Sequence, residues 1–327
     1  MGPVPVICGP TAGGKSDLAV RVALALRERG QPAAVLAADA FQVYRGMDIG
    51  TAKPTPEERA GVEHLLIDIA EPAERFTASD WLTHAKRAID GCRTRGVLPI
   101  VVGGTHLYVK LLLDGMFEGP GADERIRERL RALPPEELRA RLTRVDPAAA
   151  ARIHPSDRRR TVRALEVFEL TGRPISEQQR EWDRAGSGEF QLIVLDWPSE
   201  ALNPRINARV RAMMERGLLE EVRSLHGRGL LGPTAREALG YKQLVEHIEG
   251  RASLADAVER VKIETRRFAK NQRTWLRRLK TTPGCLTLEA PESPPGSWAS
   301  LVPDAYSAPG QATRGRCPPS PARPPGA

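Results

Sequence analysis

Residues 9–16 read GPTAGGKS and fit the pattern G-x-x-x-x-G-K-[ST]. Glycines at these positions let successive backbone N–H groups face one phosphate, while Lys15 neutralises its charge and Ser16 can hold Mg²⁺. The apolar run Val4 to Cys8 precedes the loop, and Ser16 to Arg29 follows with helical periodicity. The beginning of that helix adds partial positive charge. The pattern predicts a diphosphate site without specifying the group that the diphosphate carries.

Asp39 follows the next predicted strand, Ala33 to Ala38. The carboxyl ends of strands in an open α/β sheet face the ligand crevice, so this carboxylate is expected beside the phosphate loop. A general base or a group near Mg²⁺ fits that position. Aspartate also favours turns, which leaves a purely structural role open. Thr51 and Lys53 also have two interpretations, as phosphate contacts or as parts of a solvated loop.

A second glycine turn follows another predicted strand, Val97 to Val102. Gly103 and Gly104 close this strand, which places Thr105 near the same crevice. The alternative is a strand-to-helix turn that binds no ligand. His106 is a lone histidine, for which a structural role is the simpler interpretation.

Two helical segments are rich in basic residues. Arg159 and Arg163 lie four residues apart on one helical face, where phosphate contact and a solvated surface are both open interpretations. Leu254 to Lys280 repeats its apolar positions every three or four residues, which predicts a buried stripe. The stripe comprises Leu254, Val258, Val261, Thr265, Phe268, Gln272, Trp275 and Leu279. Most basic residues of this helix lie outside the stripe, and such a one-signed face beside a phosphate-binding core indicates nucleic acid.

These candidate sites depend on a parallel sheet that brings the strand ends together. Leu65 to Ile69 is a further, weaker strand candidate, and Thr77 to Thr94 has helical character. Strand patterns are absent from residues 120–188 and return at Gln191 to Asp196. The sequence therefore predicts an α/β fold with a P-loop NTPase-like core, a parallel sheet flanked by helices, and an all-helical insertion domain.

The predicted domains follow from the same patterns. They are residues 1–119 for the first part of the core, 120–188 for the insertion, 189–282 for the core continuation and 283–327 for a tail. The tail holds 11 of the 28 prolines and its charges cancel. It is therefore predicted to be disordered, and removing it after Thr282 is expected to leave activity nearly intact.

Composition limits the classes of function. A formal net charge of +8 favours a polyanionic partner. No stretch reaches the roughly 18 apolar residues of a membrane span, so no membrane association is expected. The four cysteines are scattered without metal-ligand spacing, and the expected compartment is the cytoplasm.

Six motifs together resemble one family. They are GPTAGGKS, DAFQVYRGMDIGTAKP, GGTHLYVKLLLDG, HPSDRRRTVRALEVFELTGRP, EALGYKQL and ETRRFAKNQRTWLRR. In this order they resemble the tRNA dimethylallyltransferases, the bacterial isopentenyltransferase family, from Val4 to Arg278. The resemblance implies transfer of a dimethylallyl group from dimethylallyl diphosphate to N6 of the adenosine 3′ of the tRNA anticodon, releasing diphosphate. It implies Mg²⁺ as cofactor, the anticodon stem-loop as partner and a monomeric protein.

The resemblance also assigns residues to roles. Asp39, Thr105 and Arg127 are expected to be catalytic, with Asp39 removing the N6 proton. The diphosphate is expected on Gly9, Pro10, Thr11, Ala12, Gly13, Gly14, Lys15 and Ser16, with Mg²⁺ on Ser16. Contacts with tRNA are expected from Asp39, Ala40, Phe41, Gln42, Thr105, Arg127, Arg159, Arg160, Thr161, Val162, Arg163, Glu237, Gly240, Tyr241 and Lys242. Gly13 and Ala40 stand where many members have serine, which puts hydroxyl contacts there in doubt.

Two other classes of protein use the same phosphate loop. A small-molecule kinase would bind ATP there, but the basic helices exceed what a small acceptor needs. A non-catalytic, RNA-binding NTPase switch would bind ATP or GTP, and it gives Asp39 and Thr105 no clear task.

Overall fold

The computed structural model describes residues 2–115, 120–182 and 189–289. Within these segments, no helix has both the length and the apolar character that crossing a membrane requires.

A six-stranded parallel sheet organises the chain. Its strands are β1 (Val4–Cys8), β2 (Ala33–Ala38), β3 (Glu63–Leu65), β4 (Leu98–Gly103), β5 (Phe190–Asp196) and β6 (Leu286–Glu289). Their spatial order is β3-β2-β4-β1-β5-β6, with Val6 of β1 opposite Val101 of β4 and Leu192 of β5. The chain completes one half of the sheet before it crosses β1 to build the other half. The carboxyl end of β1 therefore opens into a crevice, where ligands bind in such sheets.

Thirteen α-helices and one short 3₁₀ helix are found in the described segments. The helices of the first half are α1 (Lys15–Glu28), α2 (Pro56–Arg59), α3 (Ala78–Thr94) and α4 (His106–Asp114). Those between β4 and β5 are α5 (Glu124–Ala132), α6 (Pro135–Val145), α7 (Pro147–Arg152), α8 (Arg158–Thr171) and α9 (Ile175–Trp182). Those after β5 are α10 (Ser199–Glu215), α11 (Leu218–Gly227), the 3₁₀ helix Ala235–Glu237, α12 (Tyr241–Ile248) and α13 (Leu254–Leu279).

Both faces of the sheet are buried, which explains why its central strands are continuously apolar. Val6 and Ile7 are adjacent in β1 but belong to two hydrophobic clusters on opposite faces. Helices α3, α4, α11 and α12 cover the face of Val6, whereas α1 and most of α10 cover that of Ile7. Helix α13 contributes Leu276 to the first cluster and Ala269 to the second, so it packs against both layers.

Helices α5 to α9 share a separate core, which includes Leu130, Leu138 and Leu165. The buried Asp146 joins two of these helices, because its carboxylate accepts hydrogen bonds from the N–H groups of Ala149 and Ser176. The predicted helical character is confirmed for the described part of this segment. Residues 183–188 lie outside the described residues, and the proposed domain limits stay predictions.

Two of the predicted elements are wrong in detail. The third strand is Glu63–Leu65, earlier than predicted, because Leu66 and Asp68 adopt left-handed φ angles of 65° and 55° that end an extended strand. In α13, the predicted stripe includes Leu254 and Phe268, which are 37% and 40% exposed. The buried positions are Ala257, Val261, Ala269, Gln272, Leu276 and Leu279. The packing of α13 against α10, α12 and β5 selects this line of residues.

The predicted disordered tail is wrong over its first described residues. Leu286–Glu289 forms β6, which pairs in parallel with Ile193 to Asp196 of β5, and Leu288 is buried against α1 and α10. The proline content alone indicates disorder, whereas the four-residue run LTLE, with leucine at alternate positions, is enough to extend a sheet edge. Residues 290–327 lie outside the described residues.

The stability of a truncated chain should therefore depend on whether the cut removes β6. A chain ending after Thr282 should lose about 2 kcal/mol of unfolding free energy, because it lacks the buried Leu288 and the β5 pairing. A chain ending after Pro291 should match the full protein. Urea unfolding of the three chains measures the difference. Equal stability for the two truncated chains would contradict a structural role for β6.

Candidate active site at the carboxyl end of β1

Side chains from later in the chain bind the carbonyl groups of the loop between β1 and α1. The Trp197 Nε1–H donates to the carbonyl of Gly13 at 3.1 Å, and Arg205 Nε donates to the carbonyl of Ala12 at 3.0 Å. The Arg205 guanidinium also lies over the Trp197 ring, 4.7 Å from its centroid. A Cβ on Gly13 would lie 2.9 Å from the carbonyl oxygen of Pro10, so the loop follows a path that favours glycine.

Four backbone donors at the start of α1 have no acceptor within the described chain. The first N–H that bonds within this helix is that of Leu18, which donates to the Gly14 carbonyl at 3.0 Å. The N–H groups of Gly14, Lys15, Ser16 and Asp17 precede it and remain unpaired, as expected for the first turn of a helix. Gly14 itself has a left-handed φ of 81°. This arrangement suits an anion.

Lys15 points its ammonium into the same region. Its Nζ donates to the Pro10 carbonyl at 2.7 Å. Burial and, to a lesser extent, the positive charge of Arg209 lower the pKa of Lys15 to about 8, although the charge of Asp39 opposes the shift. Burial also lowers the pKa of Arg209. An anion between Lys15 and Arg209 would relieve both effects.

A cavity of about 620 Å³ brings these groups together with Asp39 and Gln42. Five basic and three acidic side chains line it, which favours an anionic ligand. The basic ones are Lys15, Lys53, Arg205, Arg209 and Arg216, and the acidic ones are Asp17, Asp39 and Glu58. Val20, Val102, Met213 and Phe268 give the same cavity an apolar wall.

Asp39 fits both interpretations that its sequence position left open, namely a structural role in a turn and a place at the ligand cavity. Its Oδ1 accepts hydrogen bonds from the N–H groups of Phe41 at 2.9 Å and Gln42 at 3.3 Å, which is a structural role. Its Oδ2 accepts no hydrogen bond from the described residues, and Asp39 lines the cavity. Thr105 supports this turn from behind, because its hydroxyl accepts the N–H of Ala40 at 3.0 Å.

Several predicted site residues are away from the cavity or engaged elsewhere. Ala40, Phe41, Thr105 and Arg127 do not line it. Lys53 is buried, and its Nζ donates to the Tyr44 carbonyl and to Asp48 and Asp68, so a structural role replaces the proposed phosphate contact.

Arg127 lies in the helical insertion, where it pairs with Glu166. The Arg127 Nε and Glu166 Oε1 atoms are 2.9 Å apart, and Arg163 pairs with the same buried carboxylate at 2.7 Å. Burial opposes ionisation of Glu166, but hydrogen bonds from Arg163 and Arg127 outweigh it and lower its pKa. The catalytic role of Arg127 stays a prediction, since this arrangement by itself explains the residue as structural.

The predicted tRNA-contacting residues divide by exposure. Arg159, Arg160, Glu237 and Lys242 are exposed. The side chains of Thr161, Val162 and Tyr241 are buried, as is Gly240, so these four positions present little surface to a partner, and their contacts with tRNA stay predictions. Periodicity places Thr161 and Val162 on the inner face of α8, and the position of Tyr241 is set by tertiary contacts. Its hydroxyl donates to Glu221, which also accepts the N–H groups of Asp48, Ile49 and Gly50.

Sequence reasoning missed the contribution of α10 and α13 to the cavity. Arg205 and Arg209 lie four residues apart in NPRINARVRAMMER, and Arg216 falls close to the same helical face. The spacing test applied to Arg159 and Arg163 would have found this face too. Gln272 and Phe268 carried no such signal, since both fell within an apparently apolar stripe.

The fold and the cavity define a P-loop α/β enzyme whose basic cavity suits an anionic ligand. A family model described as IPP transferase matches residues 42–279, and one described as isopentenyl transferase matches residues 2–80. The chain belongs to the isopentenyltransferase family, whose curated bacterial members are named tRNA dimethylallyltransferases.

Individual relatives cover most of the chain. The tRNA dimethylallyltransferase of Geobacillus thermodenitrificans is 46% identical over 277 residues, 83% of this chain and 86% of the relative. That of Geobacter sulfurreducens is 48% identical over 280 residues, 84% of this chain and 88% of the relative. The full-length tRNA isopentenylpyrophosphate transferase of Bacillus halodurans is a structural neighbour with a TM-score of 0.67 and 35% identity, covering 93% and 97% of the two chains. A eukaryotic dimethylallyltransferase acting on tRNA has a TM-score of 0.79 and 28% identity, covering 94% and 78%.

The Lys15 environment predicts a pH dependence for anion binding. A bound anion favours the protonated amine, so affinity should be highest below a pH of about 8, the Lys15 pKa, and fall as the pH rises above it. Titration calorimetry with inorganic diphosphate between pH 6.5 and 9.5 measures this change.

Lys15→Arg is the matched control, because a guanidinium keeps its charge over this range. Titration of diphosphate itself affects both proteins equally. The loss of affinity above pH 8 should therefore be smaller for the variant, and parallel curves would contradict the assignment to Lys15.

Proposed function

We propose that this protein transfers a dimethylallyl group from dimethylallyl diphosphate to N6 of the adenosine 3′-adjacent to the anticodon in tRNA. The products are N6-(dimethylallyl)adenosine and diphosphate. The observation that carries this proposal is one cavity lined by an anion-binding loop, an apolar wall and the Asp39 carboxylate. Membership of the isopentenyltransferase family supports it, and it leaves the kinase and NTPase-switch alternatives without an observation of their own.

The diphosphate end of the donor fits the start of α1. The N–H groups of Gly14, Lys15 and Ser16 are available to its oxygens, and Lys15 and Arg209 supply two positive charges. When the allylic C–O bond breaks, its electron pair goes to the departing diphosphate. Donors that are already oriented toward the developing charge stabilise that step most effectively.

The five-carbon group fits the apolar side of the cavity. Phe268 is 40% exposed although it is a large aromatic residue, and it lines this cavity together with Met213 and Val102. Burying the prenyl group against these side chains would remove apolar surface from water. We assign the donor to this position on that basis.

Mg²⁺ is part of the proposal. Ser16 is exposed at the first turn of α1 and lines the cavity, which fits a hydroxyl ligand. The described residues contain no cluster of three or more acidic, histidine or cysteine side chains that could hold a metal. A site of one hydroxyl, substrate oxygens and water matches the way in which Mg²⁺ binds to phosphorylated substrates. The ion would neutralise charge on the diphosphate.

Asp39 is proposed as the general base. The exocyclic amine of adenine is a poor nucleophile because its lone pair is delocalised into the ring. Removal of an N6 proton as the N–C bond forms prevents positive charge from accumulating there. Oδ2 is the atom assigned to this step, since Oδ1 holds the turn through Phe41 and Gln42.

The acceptor must be presented as an unstacked base. Flipping a nucleotide out of a stacked loop costs a few kcal/mol, which contacts to the RNA backbone can offset. Exposed Arg159 and Arg160 on α8 are proposed to make such contacts. We further propose that the protein acts as a monomer in the cytoplasm, in keeping with the free thiols of Cys8, Cys92 and Cys285.

Labelled dimethylallyl diphosphate, Mg²⁺ and unmodified tRNA test the activity directly. Label should enter the RNA and disappear when the adenosine 3′ of the anticodon is replaced. The absence of label, together with tight ATP binding, would reject the transferase assignment and favour a kinase.

Asp39→Asn separates the two roles of this residue. The amide oxygen still accepts the N–H groups of Phe41 and Gln42, but the side chain is no longer a base. Turnover should fall by about 10²–10⁴-fold, the usual contribution of a general base, with tRNA affinity unchanged. Single-turnover transfer and filter binding measure the two quantities. A variant with normal turnover would exclude Asp39 as the base.

Exposed arginines of α8 should contribute electrostatically to tRNA binding. Arg159→Ala combined with Arg160→Ala should reduce the salt dependence of log K by about 1 for each phosphate contact removed. Arg141→Ala is the control, because this partly exposed arginine lies on α6, a different helix of the same insertion. Equal slopes for the double variant and the wild-type protein would place the RNA elsewhere.

A further inference from the structure

Gln272 joins the two glycine turns at the carboxyl end of the sheet. Its Oε1 accepts the N–H of Thr11 at 2.8 Å, and its Nε2 donates to the carbonyl of Gly104 at 3.0 Å. The side chain is 1% exposed and lies at the cavity wall. A primary amide suits this position because it donates and accepts at once.

The connection continues from Gly104 to Asp39. Thr105 is the next residue, and its hydroxyl accepts the N–H of Ala40 at 3.0 Å. Asp39 is adjacent to Ala40 and closes the same turn through its bond to Phe41. An unbroken path of hydrogen bonds and single peptide links therefore runs from the diphosphate loop to the proposed base.

The surroundings of Gln272 leave little freedom for this path. A Cβ on Gly104 would lie 2.4 Å from Nε2 of Gln272, so a larger residue there would displace the Gln272 amide from its hydrogen bonds. Near Gln272 along α13, the Trp275 ring stacks on His106 of α4 with centroids 5.1 Å apart. This contact fixes α13 against the helix that follows Thr105. Displacement of either glycine turn must therefore change the geometry at Gln272.

We propose that Gln272 is a positioning residue that couples occupation of the diphosphate loop to the order of the turn carrying Thr105 and, through it, Asp39. The inference rests on the proposed function, because it concerns the alignment of donor and acceptor. Thr11 anchors the loop to Gln272 with its N–H, while Gly14, Lys15 and Ser16 keep theirs for the ligand. When diphosphate orders the loop, the hydrogen bonds of Gln272 thereby restrain the turns that carry Thr105 and Asp39.

Hydrogen exchange tests the coupling without any need for catalysis. Inorganic diphosphate with Mg²⁺ should slow amide exchange of the wild-type protein at residues 9–16, 39–42 and 103–106. In Gln272→Met, which keeps the side-chain length but removes both hydrogen bonds, protection should remain at residues 9–16 and be lost at 39–42 and 103–106. Gln272→Asn, which is one methylene too short to span both partners, should behave in the same way.

Gln243→Met is the matched control. Gln243 is a buried glutamine in α12 whose Oε1 accepts the Gly240 N–H at 2.9 Å, and it does not line the cavity. It should show the wild-type pattern of protection. Equal protection of residues 103–106 in Gln272→Met and the wild type, or its absence from the wild type, would overturn the inference.

Kinetics gives a second and separate readout. Misplacement by about 1 Å can cost about 10²-fold in rate, so kcat for Gln272→Met should fall by about that factor. The Kd for inorganic diphosphate and the KM for tRNA should change far less. A fall in kcat that Gln243→Met reproduces, or that the diphosphate Kd explains entirely, would reduce Gln272 to a packing role. If the wild-type protein transfers no label, the proposed function fails, and the exchange experiment still decides the role of Gln272.

Discussion

Positive charge held with little water at the carboxyl end of β1 is the constraint around which the site is built. Burial lowers the pKa of both Lys15 and Arg209, and the positive charge of Arg209 adds to the lowering at Lys15. Four N–H groups at the start of α1 have no acceptor among the described residues. Such an arrangement is unfavourable without an anion and favourable with one, which is what a site for a departing diphosphate requires.

The remaining elements hold this arrangement in place. Trp197 and Arg205 bind the carbonyl groups of the loop, which keeps its N–H groups directed at the cavity. Gln272 accepts the N–H of Thr11 near the beginning of the loop, and α10 places Arg209 beside the loop. These supports come from residues far along the chain, so the phosphate site is complete only when the second half of the sheet has formed.

The helical insertion is held together by its own residues. It has its own apolar core and its own buried ion cluster, in which Glu166 binds Arg127 and Arg163. Removal of one member of such a cluster would leave an uncompensated buried charge. Its outer surface carries the exposed Arg159 and Arg160, of which Arg160 lies 3.4 Å from Asp157 at the start of the same helix, and these are the residues proposed to contact RNA.

Local patterns in the sequence determined the phosphate loop, five of the six strands at least approximately, and the helical character of the insertion. These features depend on residues adjacent in the chain, as with the glycines before α1 or the apolar run of β1. The strand β6 was missed because a short run such as LTLE inside a proline-rich segment becomes a strand only when β5 offers an edge.

The tertiary structure decided which side chains meet. The spacing of these residues does not indicate that the side-chain amide of Gln272 bridges the backbone of Thr11 and that of Gly104. Thr11 and Gln272 are 261 residues apart in the chain. Burial of Thr161, Val162 and Tyr241 likewise depends on the packing of whole helices. The sequence by itself determined the kind of chemistry, because that requires particular residue types at short spacing. Only the packing of distant elements decided the geometry, because hydrogen bonds across the fold leave no period in the chain.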